Sequence, residues 1–177
     1  MKYVYLLVAG LLVSSLHFYL VWPNRGSGKF SLSEHAIRTQ KSHLLYFITH
    51  FIVEILFLLF SYQFFIIEHS LYLPFYLNVC FAILDFVQAI FPSRGRTEKI
   101  HWFAAYFSWL SYLTSGVIAL FLLDVTQPYA ILATLLLIPI LGMFAYMHIN
   151  RSKLYPYQLS IVPLFIIYMI LIVIGAS

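Results

Sequence analysis

The sequence has few charged residues and a single cysteine, and both shortages narrow what the protein can be. Charged residues make up 9% of the 177 residues, whereas hydrophobic residues make up 63%. Soluble domains are typically about 25% charged and about 45–50% apolar, so this chain lacks the polar side chains to cover a water-facing surface. A lone cysteine, Cys80, excludes an internal disulfide and argues against a cysteine-based metal site.

Apolar residues are concentrated in six runs, each near the ~20 residues that a helix needs to cross a ~30 Å hydrocarbon core. The runs lack the alternating pattern of a membrane β-barrel, and helices satisfy their backbone hydrogen bonds internally. The sequence therefore predicts an all-α integral membrane protein, a six-helix bundle of up-down topology that forms one domain over residues 1–177. The predicted spans are residues 3–22, 44–67, 71–91, 102–123, 129–149 and 159–176.

Lysine and arginine residues are confined to alternate connections between the spans. Nine of the ten lie in the first, third and fifth connections, and only Lys2 lies on the opposite side. Because positively charged loops are retained in the cytoplasm, the sequence predicts a multi-pass protein of the cell membrane with both termini non-cytoplasmic. The first run is predicted to be a retained helix, since His17 and Trp22 stand where a signal peptide would have small residues. Basic loops beside spans favour membrane lipids over nucleic acid as partners.

Polar residues inside the predicted spans share helix faces and lie near one membrane boundary. His50 and Glu54 lie on one face of the second span, and Asp85 and Gln88 lie on one face of the third. At ~1.5 Å per residue, His17, His50 and Asp85 each lie about 9 Å from the cytoplasmic boundary. The sequence predicts a ligand pocket there, lined by His17, His50, Glu54, Asp85, Gln88 and His101.

Ionisable groups at membrane depth usually face a bundle interior or a wet cavity. The pocket is therefore predicted to bind or process a lipid or small amphiphile near the cytoplasmic face. Arg38, Arg94 or Arg96 would hold an anionic headgroup. Enzyme status stays open and no catalytic residue is assigned, because no known catalytic motif is present. The competing interpretation is purely structural: polar residues in spans often only bridge helices, and for His101, at a helix start, interfacial solvation is the favoured role.

Two other functions remain open from the residues alone. His17, His50, His101 and Asp85 could bind zinc, or facing histidines could hold a haem. No helix has the paired histidine spacing of a dedicated site, so no metal ligand is assigned and the cofactor is left unknown. A small proton-coupled transporter or a subunit of a membrane complex is the other alternative, with residues 139–142 hinting at a broken helix. The sixth span is almost wholly apolar, so we expect it to face lipid or a second copy in a homo-oligomer.

Two connections carry a resemblance to a known family. Residues 31–36 (SLSEHA) follow the first span, and residues 89–92 (AIFP) end the third, before a short polar loop that leads to His101. Ser31 and Glu34 have capping-box spacing, which predicts a short interfacial helix. In this order of features the chain resembles the bacterial and archaeal six-helix membrane family known as domain of unknown function 998, akin to the DRAM-like proteins. It departs from that pattern after Pro92, where an aspartate is expected. The resemblance implies a prokaryotic membrane protein of this fold and no particular activity.

Overall fold

The computed structural model describes residues 2–21, 32–91, 93, 95–149 and 154–176, and every regular element in these ranges is helical. The predicted all-α class is therefore confirmed for the described part of the chain. A π-helical segment, Tyr62–Glu68, prolongs the third α helix, and a 3₁₀ turn, Gly95–Thr97, precedes the fifth. The α helices are α1 (Lys2–Val21), α2 (Leu32–Ala36), α3 (Gln40–Ser61), α4 (Tyr72–Ile90), α5 (Glu98–Leu122), α6 (Gln127–Ile149) and α7 (Leu154–Gly175).

Five helical segments are long and apolar enough to cross a membrane, judged by length and composition. They are α3 with its π-helical extension, α4, α5 with the preceding turn, and most of α6 and α7. The described part of α1 contributes a shorter apolar helix, Val4–Leu20. Five of the six predicted spans thus correspond to helices that are long and apolar enough to cross a membrane, and together they indicate a helical membrane protein. The orientation and the up-down topology stay predictions.

The helices enclose a central space. α1 packs on α3 and α7, α4 packs on α3 and α5, and α7 also contacts α5 and α6. The expectation that the last span faces lipid or a second copy applies to only part of its surface, because Phe165, Tyr168 and Met169 of α7 are buried against its neighbours whereas Ile167 and Ile174 are exposed. In its apolar stretch 39% of the residues are buried, compared with 11% in α6. Apolar side chains pack equally well on lipid and on protein, so composition does not separate the two. A homo-oligomer through the remaining exposed face of α7 stays a prediction.

A few polar side chains join neighbouring helices at depth. Asn78 Nδ2 donates a hydrogen bond to Ser61 Oγ at 2.9 Å, which links α4 to α3. Ser115 Oγ of α5 donates to the carbonyl oxygen of Pro74 on α4 at 3.0 Å. Such bonds are favoured where lipid offers no alternative partner. α6 runs on through Pro139, so the broken helix that its proline hinted at is absent from this described element.

The short helix α2 lies against α1 and α3 at one end of the bundle. The predicted short helix therefore exists, although Ser31, its expected cap, lies outside the described residues. A capping box is found instead at the start of α3, where Thr39 and Ser42 each accept a hydrogen bond from the other's backbone N–H. Ser42 Oγ also donates to the Ala36 carbonyl at 2.6 Å, which ties the end of α2 to α3.

Candidate functional site

A cavity of about 470 Å³ lies between α1, α3, α4, α5 and α7 and is partly open to the outside of the bundle, because the exposed Phe103 and Phe107 are among its lining residues. Its volume falls within the ~300–1,000 Å³ typical of small-molecule pockets. Away from α2 its walls are largely apolar and include Ala9, Val53, Phe57, Phe81 and Phe165. Its polar side chains come mainly from the helix ends next to α2. The cavity is therefore amphipathic along its length.

All six residues of the predicted pocket line this cavity, and all six are buried. Their positions follow from helix geometry, because His50 and Glu54 are one turn apart on α3 and Asp85 and Gln88 are one turn apart on α4. The structure therefore brings together groups from four helices that the sequence placed at a similar depth. These residues are His17, His50, Glu54, Asp85, Gln88 and His101.

A histidine–aspartate pair forms the centre of this cluster. His50 Nδ1 lies 2.6 Å from Asp85 Oδ2, and Gln88 Nε2 donates a hydrogen bond to the other carboxylate oxygen of Asp85. A carboxyl oxygen of Glu54 lies within 4.8 Å of a carboxyl oxygen of Asp85. On its other side the His50 ring packs on Tyr46, with ring centroids 4.2 Å apart. The orientation of the His50 imidazole is therefore set by contacts on both α3 and α4.

Two buried polar atoms of the cluster remain unsatisfied. His50 Nε2 and Glu54 Oε2 are buried, and no described residue forms a hydrogen bond with either. His50, Glu54 and Asp85 each offer one metal-ligating atom, and these atoms lie within 4.8 Å of one another. The His17 ring lies beside them, with its centroid 6.1 Å from that of His50. The cluster can thus accept hydrogen bonds from a polar headgroup or coordinate a cation.

His101 links the cavity to α2. Its Nδ1 atom lies 3.0 Å from the Gln88 carbonyl oxygen and 2.9 Å from that of Phe91, so Nδ1 carries the proton. Its Nε2 atom then accepts a hydrogen bond from Ser33 Oγ of α2 at 2.9 Å. The expectation that His101 is solvated at the interface is wrong, because these contacts bury it. Sequence reasoning missed Ser33 as a site residue, although it stands inside the loop motif of residues 31–36.

A second contact holds α2 over the cavity. The backbone N–H of Leu32 donates to Gln158 Oε1 on α7 at 2.9 Å. Gln158 was also missed, and its only sequence signal is that it is a polar residue near the start of an apolar helix. Burial lowers the pKa of His35 in α2 below its ordinary value of 6.5; the charge of Arg38 lowers it further, and that of Glu34 opposes this.

The arginines assigned to a headgroup lie apart from the cluster. Arg38 and Arg96 are exposed and do not line the cavity, and Arg94 lies outside the described residues. The lining of the cavity therefore gives no support to the prediction that these arginines hold an anionic headgroup. The polar lining of the cavity consists mainly of buried histidines, carboxyl groups and amides.

The chain matches no family model, no curated protein and no solved structure. The resemblance to the six-helix family stays a prediction. The interpretation of the cavity rests on its own geometry.

Proposed function

We propose that this protein binds a lipid or a small single-chain amphiphile inside the helix bundle. The observation that carries the proposal is the amphipathic cavity, which has buried polar groups at the α2 end and apolar walls beyond them. The polar head would lie at His17, His50 and Glu54. The hydrocarbon tail would lie along the walls that α1, α3 and α7 provide.

The polar cluster would supply most of the selectivity. An acyl chain that leaves water gains ~0.8 kcal/mol per buried CH₂ group, but a chain that leaves the bilayer core is already in hydrocarbon. Moving the tail from lipid into the cavity therefore changes the free energy little. A polar head that satisfies His50 Nε2 and Glu54 Oε2 removes the cost of burying them unpaired, and this gain is available only at the cluster.

The same site suits proton transfer to or from the bound head. His50 is oriented by Asp85 through Nδ1, which leaves Nε2 to act as a general base. The carboxyl group of Glu54, one turn further along α3, would serve as the paired acid. If the protein acts on its ligand, we assign these two roles to His50 and Glu54. With the predicted orientation, the head would lie near the cytoplasmic leaflet.

Native mass spectrometry of the full chain in detergent micelles tests the binding proposal. The probes are oleate, a monoacylglycerol and a lysophospholipid, which share a tail and differ in the head. We expect the wild type to retain one molecule of at least one probe. Ala105→Trp, which fills the cavity, should weaken binding about tenfold or more, equal to about 1.4 kcal/mol.

Ala145→Trp is the matched control, because Ala145 is exposed on α6 and does not line the cavity. This variant should bind the probe as the wild type does. The proposal fails if no probe is retained, or if the two tryptophan variants bind equally well.

A further inference from the structure

Two buried polar atoms without a hydrogen-bond partner belong to residues one turn apart on α3. His50 Nε2 and Glu54 Oε2 have no hydrogen-bond partner among the described residues, although the His50 side chain is only 6% exposed. A buried nitrogen and a buried carboxyl oxygen left unpaired are costly in a low-dielectric interior. Both residues line the same cavity, so one bound group can satisfy both atoms.

No lysine or arginine among the described residues lies beside the carboxyl groups of this site. The cluster contains the carboxyl groups of Glu54 and Asp85, and the basic side chain described in contact with Asp85 is the imidazole of His50. The four lysines and arginines whose side chains are described are all exposed, and none lines the cavity. A divalent cation would neutralise two carboxylates where no lysine or arginine does so. The four exposed cations are Arg38, Lys41, Arg96 and Lys99.

We infer that the cluster binds one divalent transition-metal ion, best matched by zinc, through His17, His50 and Glu54. Two imidazoles and one glutamate are a donor set of catalytic zinc sites, which keep a fourth position open. Asp85 supplies the outer support that such sites use, because a carboxylate on Nδ1 turns the Nε2 of the histidine toward the metal.

The candidate ligands lie close together before any ion binds. His50, Glu54 and Asp85 each have a ligating atom within 4.8 Å of the other two, and the His17 ring lies beside them, with its centroid 6.1 Å from that of His50. Bonds of ~2.0–2.1 Å in a tetrahedral site place ligand atoms roughly 3.3 Å apart, so the side chains of His17, His50 and Glu54 would have to rotate toward one another to hold an ion.

The fourth position of the ion would face the cavity. An ion there would occupy His50 Nε2 and Glu54 Oε2 and would meet the head of a bound amphiphile as a Lewis acid, in place of the direct contacts and proton-transfer roles given to these two residues above. Metal binding can be tested with no amphiphile present. If the protein binds no metal, the proposal that it binds an amphiphile is unaffected. If the Ala105→Trp test fails, the proposed metal site is unaffected.

Metal titration of the purified full chain tests the inference. The protein is stripped with a chelator in detergent and titrated with Zn²⁺ against a fluorescent zinc indicator, and Co²⁺ is added separately to record its visible spectrum. We expect one ion per chain and an intense tetrahedral Co²⁺ spectrum. Asp85→Asn should weaken Zn²⁺ binding about 10–100-fold, the usual effect of losing an outer partner, and Glu54→Gln should weaken it more.

Matched controls distinguish a specific metal site in the cluster from adventitious metal binding elsewhere on the protein. Glu98→Gln replaces an exposed glutamate, and His43→Gln replaces a histidine two turns before His50 on α3; both should bind Zn²⁺ as the wild type does. The Co²⁺ spectrum of the wild type decides the matter even if a cluster variant fails to fold. Absence of stoichiometric binding, an octahedral Co²⁺ spectrum, or wild-type affinity in folded Glu54→Gln would overturn the inference.

Discussion

His50 on α3 and Asp85 on α4 are joined by a hydrogen bond of 2.6 Å between Nδ1 and Oδ2, at the buried polar end of the cavity. This single contact has two consequences. It connects the neighbouring helices α3 and α4, and it leaves Nε2 of the same imidazole free to contact a ligand, a proton or a metal. The packing of α3 on α4 and the proposed ligand site therefore share one pair of side chains.

The first prediction concerns the strength of this pair. In a double-mutant cycle with His50→Ala and Asp85→Ala, we expect a coupling free energy of about 1–2 kcal/mol. Hydrogen bonds in membrane interiors average ~0.6 kcal/mol, and a carboxylate–imidazole bond exceeds this because it is charge-assisted. The free energy of unfolding is measured in mixed micelles, by titration with a denaturing detergent, for the wild type, the two single variants and the double variant.

The bond between Asn78 and Ser61 provides the control, since it joins the same two helices at 2.9 Å without a charged partner. Its cycle should give about 0.6 kcal/mol, the average for such bonds. Equal couplings in the two cycles would show that His50 and Asp85 form an ordinary neutral bond.

The second prediction concerns the response of α2 to pH. Because the pKa of His35 is lowered in the docked helix, the docked state favours the neutral imidazole. The neutral ring of His35 therefore stabilises the docked helix fully when the pH is above the ordinary pKa of 6.5. This stabilisation is lost as the pH falls from 6.5 toward the lowered pKa of the docked state. Amide exchange of residues 32–39, corrected for intrinsic rates, should show lower protection at about pH 5.5 than at about pH 7.5.

His35→Gln should remove this pH dependence while the rest of the chain exchanges as before. His101 also contacts α2, through Ser33, and is the other histidine that could respond. Full pH dependence in His35→Gln would therefore assign the effect to His101 and contradict the prediction.

The third prediction tests the place of α7 inside the bundle. A Cβ atom at Gly116 of α5 would lie 2.5 Å from Cε1 of the buried Tyr168 on α7. Gly116→Ala should therefore lower the free energy of unfolding by about 1–3 kcal/mol through overpacking. At Gly142 of α6 a Cβ would meet nothing within 4 Å, so Gly142→Ala should be neutral or stabilising by up to ~1 kcal/mol. Equal stability of both variants would show that α5 and α7 do not pack closely there.

The fourth prediction concerns orientation. After replacement of Cys80 by Ser, a cysteine introduced at Ser177 should react with a membrane-impermeant maleimide in intact cells, because the basic loops keep the opposite side in the cytoplasm. A cysteine at Lys99, in the third connection, should react only after permeabilisation. The reverse pattern would invert the topology.

Part of the candidate site could be predicted from the sequence, because helix geometry relates residues on one segment. Offsets of four and three place His50 with Glu54 and Asp85 with Gln88, and the distance of each residue from the end of its span indicated a common depth. Which imidazole nitrogen meets Asp85 depends on the rotation of α3 and α4 about their own axes. No local pattern encodes that rotation.

The sequence by itself determined the helical class and the membrane-length apolar runs, because composition and the ~20-residue span are properties of each segment alone. It also determined which residues are too polar to face lipid. Only the tertiary structure decided that one face of α7 is buried in the bundle, that α2 covers His101 through Ser33, and that an amphipathic cavity remains between the helices. The physical reason is that apolar surfaces pack on lipid and on protein with similar free energy, so the choice between them is made by shape and by contacts between segments distant in the chain.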